Sequence, residues 1–391
     1  MQRITKNCLM KKSLRFSLTL LLITYSLLSQ AQSDQTINVV TTAVPFLRIS
    51  PDARAGGMGD AGIATTPDVN SAFWNAAKLP FAKSNFQISA NYTPWLKDIA
   101  KDVYLASLAG YYKLDEEEAI SASMRYFSLG QIQLTDFSGN DIGTSRPKEF
   151  AFDFGYSRKL SEKLGVGVGL RYINSNLAAG VASPGVTYKA GSAVAGDISI
   201  FQNGTDAKGE GLNWGVNISN LGSKIGYTSD AKTKDYIPAN LGIGVAYTKI
   251  FDDFNRITFA ADVNKLLVPA PPAYTGDDKV DSTNLSNYRN NSVFGSWFKS
   301  FSDGGGQFKS LQFSLGAEYL YNDQFAIRAG YFYEDKTKGN RKFFTVGLGL
   351  KYNTIGINFS YLVPSGNGIT RNPLSNTLRF GLVFDLDQSS Q

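Results

Sequence analysis

The chain has 391 residues, with 39 Lys and Arg against 33 Asp and Glu, no His, and a single Cys at position 8. These counts exclude Ser-His and Cys-His nucleophile pairs, Cys/His zinc sites and intrachain disulfides. Aromatic residues make up 13% of the chain and Gly occupies 38 positions, a balance that suits one long antiparallel sheet.

Lys11, Lys12 and Arg15 accompany an apolar run from Leu14 to Leu28, and Ser29-Gln30-Ala31 offers a small-x-small cleavage site. Residues 1–31 are therefore expected to be a secretory signal peptide. The run of about 15 residues is shorter than the ~20 a spanning helix needs. Five basic residues and no acid fall within this leader, so the remainder holds 34 basic against 33 acidic residues. The basic balance belongs to the leader, and nucleic-acid binding has no compositional support. An exported, near-neutral chain without a helical span points to the bacterial outer membrane.

From Arg48 to Gly62 the chain is rich in Gly, and Gly57, Gly59 and Gly62 spell G-x-G-x-x-G. That fingerprint binds a pyrophosphate only between a strand and a helix of a βαβ unit. Pro45 and Pro51 interrupt the approach and no alternating pattern follows, so the stretch reads as a segment that the rest of the chain surrounds. Asn70 to Pro80, with Phe73-Trp74-Asn75-Ala76-Ala77, reads as a short helix or an irregular plug.

From Phe86 onward the pattern has period two. Phe86, Ile88, Ala90 and Tyr92 alternate with polar residues, as do Phe150 to Tyr156, Leu164 to Tyr172, Leu212 to Ile218, Ile257 to Val263, Leu311 to Tyr319 and Leu378 to Leu386. Short connections near Asp115, Ser161, Phe251, Asn322 and Asn353, with one intermediate turn from Gln202 to Gly209, alternate with longer ones, giving about fourteen strands. An even strand number, short turns at one end, long loops at the other and Tyr at strand ends predict an outer-membrane β-barrel. The expected domains are the leader, an N-terminal segment 32–83 at the inner mouth that can fold into the lumen, and the barrel 84–391.

The inward face is small and polar, with Arg125, Asp153, Arg171, Asp262, Glu318 and Arg328 among its charges. Buried charges are normally paired, and Glu318 with Arg328 sit on neighbouring strands near one turn. Asp115-Glu116-Glu117-Glu118 and Asp277, Asp278, Asp281 lack the spacing of a cation site and read as solvated. Leu266 to Phe308, at roughly 40 residues, exceeds the length at which a loop needs an explanation. Its Pro271, Pro272, Tyr274, Trp297, Phe298 and Phe301 suit protein docking or packing over the barrel mouth.

The glycine segment, Phe73 to Leu79 and the strand count resemble the long-chain fatty acid transporter (FadL) family. Pro45-Phe46-Leu47-Arg48-Ile49-Ser50-Pro51-Asp52-Ala53-Arg54-Ala55-Gly56-Gly57-Met58-Gly59, Arg328-Ala329-Gly330-Tyr331-Phe332 and Lys338-Gly339-Asn340-Arg341 resemble, within it, the PorV (LptO) family of the Bacteroidetes type IX secretion system; the related PorQ proteins share the first motif. The resemblance implies an N-terminal hatch in the lumen, built here around Arg48, Asp52, Arg54, Gly56, Gly57, Met58, Gly59, Asp60 and Gly62, whose charges would meet those of the wall. It implies no cofactor and a carrier role: taking secreted cargo by its C-terminal signal domain from the outer-membrane translocon to a cell-surface sortase complex. Family members have been linked to lipopolysaccharide deacylation, but without His this chain is expected to be non-enzymatic. A channel for hydrophobic small molecules, with an apolar pocket near Phe46, Leu47, Met58 and Phe73, is the alternative.

Overall fold

Strands with one apolar and one polar face can cross hydrocarbon only when the sheet closes, because closure pairs every edge and hides the polar side. The computed structural model describes residues 39–96, 100–135, 138–178, 182–183, 186–229, 234–302, 307–363 and 376–387. The expected signal peptide and most of the connection after Pro364 lie outside these residues.

Fourteen strands, from Phe86–Pro94 to Leu378–Asp385, form a closed antiparallel barrel. Each pairs with the barrel strand next in the chain, and the last returns to the first with Gln87 opposite Asp385 and Tyr92 opposite Phe380. Two hairpins, Ile132–Thr135 with Asp141–Ser145 and Ala182–Ser183 with Val186–Thr187, stand on long connections.

The outer face is apolar and the inner face mostly small and polar, apart from an apolar stretch of the inner wall toward the long-loop end. In Leu311–Tyr321, Leu315 is 53% exposed whereas Ser314 and Glu318 are buried against the lumen. Aromatic side chains gather at both rims, as an interface belt requires. At the long-loop rim Tyr104 contacts Tyr92 and Tyr126 at 5.4 and 6.2 Å, and Tyr331 meets Phe344 at 4.7 Å. At the short-turn rim Phe86 meets Tyr112 at 6.2 Å and Phe254 meets Tyr321 at 6.5 Å.

Short turns repeat one device, a side-chain oxygen that accepts from backbone N–H groups two to four residues on. Asp115 accepts from Glu117 and Glu118, Asp206 from Lys208 and Glu210, Asp252 from Phe254 and Asn255, and Ser161 from Lys163 and Leu164. Such turns fix the register between strands.

The described part of the N-terminal segment, from residue 39, lies inside the barrel and begins at the long-loop end, whereas residues 32–38 of the expected segment lie outside the described residues. The Ala43 N–H donates to the Tyr236 carbonyl on a long connection, 2.9 Å away. Val44, Phe46 and Leu47 pack there with Leu105, Phe127 and Ile173. The segment then crosses the lumen and leaves at the short-turn rim, where Phe81 meets Phe201 at 5.6 Å, before turning into the first strand. The reason is where the wall turns apolar on its inner side: Phe46 and Leu47 find Leu105, Phe127, Ala151 and Ile173 toward the long-loop end.

Candidate functional site

The lumen is where the hatch meets the wall, and wall glycines make the close approach possible. A Cβ on Gly330 would stand 2.0 Å from the Gly59 nitrogen, and one on Gly316 2.6 Å from the Met58 carbonyl oxygen. On the hatch side, Gly59 has φ +67°, a left-handed conformation that Gly adopts without penalty. Gly56 abuts Arg379, Gly57 the backbone of Gly347, and Gly62 the Trp74 ring. Met58 is fully buried with Ala246 and Ala260.

Charge clusters then fasten hatch to wall. Glu318, opposite Arg328 in the strand register, accepts from Arg328 Nε at 2.6 Å and from Arg54 Nη2 and Nε at 2.7 and 3.0 Å. Arg54 also donates to Asp68 at 2.8 Å, and Arg328 to Asn358 at 2.9 Å. Asp52 caps the short helix Ala53–Gly56 by accepting from the Ala55 N–H and takes the Trp74 indole N–H at 2.6 Å. Asp262 accepts from the backbone N–H groups of Gly62 and Ile63 at 2.7 and 3.0 Å. Asp60 faces Arg379 at 3.3 Å.

A second group gathers Asp153, Arg171 and Asp197: Arg171 binds Asp153 and reaches Asp197 at 2.9 Å. Arg125 lies 3.7 Å from Asp153, donates to the Leu47 carbonyl at 3.2 Å and stands over the Phe73 ring. Arg48 shares Glu334 with Arg341, at 3.4 and 2.7 Å. Asp68 and Glu334 escaped the sequence reading and lie outside any motif; Trp74 belongs to a stretch singled out there, but without its indole bond to Asp52.

At the outer mouth the long connection carries two helices, Asp278–Asn290 and Val293–Lys299, where the sequence suggested only loop. Asp277 and Ser292 cap them. The Lys224 ammonium donates to the Arg289 and Asn291 carbonyls at 2.7 and 2.6 Å, and the Ser296 hydroxyl donates to the Tyr236 hydroxyl at 2.7 Å. These bonds tie the helices to the neighbouring long connection. Tyr274 and Phe298 project into solvent, Phe301 lies beneath the Lys265 ammonium, Trp297 is half-buried against Phe294, and Pro271 and Pro272 lie on the approach to the first helix. Phe294, exposed and 5.1 Å from Phe298, completes the cluster; its i, i+4 spacing to Phe298 was the available signal.

The family profile described as "Type IX secretion system protein PorV" matches residues 30–273, more than half of the chain. Among solved structures, the TodX deltaS2S3 mutant monoaromatic hydrocarbon channel aligns with TM-score 0.51 at 13% identity, over 85% of this chain and 97% of that one. The Ralstonia pickettii toluene transporter TbuX gives 0.49 at 13%, over 85% and 96%. A Pseudomonas aeruginosa FadL homologue gives 0.46 at 11%, over 89% and 99%. A search of curated proteins found no match. At such identities the likeness to solved structures is one of fold alone. The family match and the hatch-filled barrel together place the chain in the PorV family of type IX secretion system proteins, as an outer-membrane β-barrel of FadL-like fold.

Proposed function

We propose that this chain is a non-enzymatic carrier that holds secreted cargo by its C-terminal signal domain and passes it from the outer-membrane translocon to the cell-surface sortase complex. The observation that carries the reading is the capped, hydrogen-bonded helix pair at the outer mouth, whose second helix presents Phe294 and Phe298 to solvent from a fixed frame, with the exposed Tyr274 on the approach to the first. Aromatic side chains on a rigid support lose little entropy when a partner covers them, and they dominate binding at protein interfaces. Membership of a protein-secretion family supports reading such a surface as one for a protein partner. Lipid or lipopolysaccharide around the barrel would be a further contact of the apolar belt.

Replacing Tyr274, Phe294 and Phe298 together by Ser tests the docking assignment. Recovery of cargo or sortase components with the tagged barrel from native envelopes is expected to fall at least tenfold, while the barrel keeps its heat-modifiable gel mobility. Unchanged recovery would remove this loop from docking.

The channel reading needs an apolar lumenal pocket around Phe46, Leu47, Met58 and Phe73. Phe46 and Leu47 pack into the cluster with Phe127, whereas Met58 belongs to a separate one with Ala246. Fatty-acid uptake that depends on this chain would favour that reading over the carrier.

A further inference from the structure

A cavity of about 120 Å³ lies between the hatch and the wall on the long-loop side. One water centre needs roughly 10–15 Å³ of such space, so the cavity has room for a molecule of monosaccharide size. Its lining includes three arginines, Arg48, Arg125 and Arg341, and one carboxylate, Asp60. The acids near these arginines are already shared. Among the described residues Glu334 alone answers both Arg48 and Arg341, Asp60 is opposite Arg379, and Asp153, the acid paired with Arg125, is bound more closely by Arg171. Arg125 is 4% exposed and its Nε has no acceptor among the described residues.

Among the described residues one positive charge thus stays uncompensated where Arg48 and Arg341 share a carboxylate, and it matches a monoanion better than a phosphate dianion. The rest of the wall narrows the class further. Asn217, Asn240 and Asn264 line the same cavity; the Asn240 amide donates to the Asn264 carbonyl oxygen at 2.9 Å, which leaves the Asn264 NH2 group and the Asn240 carbonyl oxygen as the donor and acceptor that complement a hydroxyl group. Phe73, Trp74 and Phe332 supply apolar ring surface beside them. The side chains of Arg48 and Arg341 remain 22% and 29% exposed, which leaves an approach from the long-loop rim. From these observations we infer that the cavity above the hatch is a binding site for a small hydroxylated carboxylate, a sugar acid, entering from the cell-surface side. The site is separate from the aromatic docking loop and does not depend on it.

The test is calorimetric titration of the detergent-solubilised full-length barrel with glucuronate, glucose, acetate and a short peptide with a free C-terminal carboxylate, repeated on Arg341→Gln and Asn264→Leu. Glucuronate is expected to bind at least tenfold more tightly than glucose or acetate. Each substitution should weaken it at least tenfold while leaving heat-modifiable mobility unchanged. No heat of binding with glucuronate, equal affinity for glucose, or unaltered affinity in both variants would overturn the assignment. Tighter binding of the peptide than of glucuronate would overturn the sugar-acid class.

Discussion

Glu318 lies fully buried between two guanidiniums, one from the hatch and one from the wall, so removing its charge leaves Arg54 and Arg328 competing for what remains. Breaking a buried pair in this way costs several kcal/mol because the orphaned charge cannot reach water. Glu318→Gln is expected to lower stability by about 3 kcal/mol, read as a shift of the urea midpoint in detergent by tryptophan fluorescence. Gly330→Ala acts without charge: the new Cβ falls on the hatch backbone at Gly59, so the hatch must shift while the wall can still close. Faster proteolysis within the hatch at unchanged barrel mobility is the expected result. The Glu318–Arg328 pair was legible in the sequence because a short turn places the two residues on facing positions. Arg54 was recognised as a hatch charge, but its partner was not, since it meets Glu318 across 264 positions of chain and no local pattern encodes that contact.

At the scale of the element, the short turns and the long outer loop follow different rules. Each Asp-capped turn depends on an ionised carboxylate. Backbone N–H donors, those of Glu117 first and Glu118 second, hold the Asp115 carboxyl below its ordinary value of 3.8. A depressed folded value means that its contribution is complete above 3.8 and is lost as pH falls through the lower folded value. Amide exchange at Glu117 and Glu118 should therefore accelerate on acidification below pH 3.8, and Asp115→Asn should abolish that dependence. The strands were legible because alternation at period two survives any choice of apolar residue. The two helices of the outer loop were not, because Pro269, Pro271 and Pro272 signal irregular chain and the first helix exposes both Val280 and Leu285, without a buried stripe. Its caps, Asp277 and Ser292, were visible in the sequence but gain meaning only once a helix is known to follow.

For the whole molecule, the direction of the hatch is the property that sequence could not supply. Period-two patterning says which side chains face the lumen, not from which rim another segment enters it. Residues 9–391 contain no Cys, so single cysteines report sidedness without background. Val39→Cys, at the long-loop rim, should react with an impermeant maleimide on intact cells, and Lys83→Cys, at the opposite rim, only after the outer membrane is permeabilised; the reverse order would invert the hatch. The threaded path also constrains assembly. A barrel closed in advance would have to draw Arg54 and Asp52 singly through a narrow bore, each unpaired until it arrived. Strands laid in turn around a hatch already in place meet their partners one at a time. The final strand brings Arg379, which reaches the Gly56 carbonyl and Asp60 as the seam from Gln87 to Tyr92 zips. The hatch thus acts as a mandrel, and a chain synthesised without it should stall as an open sheet whose first and last strands never join.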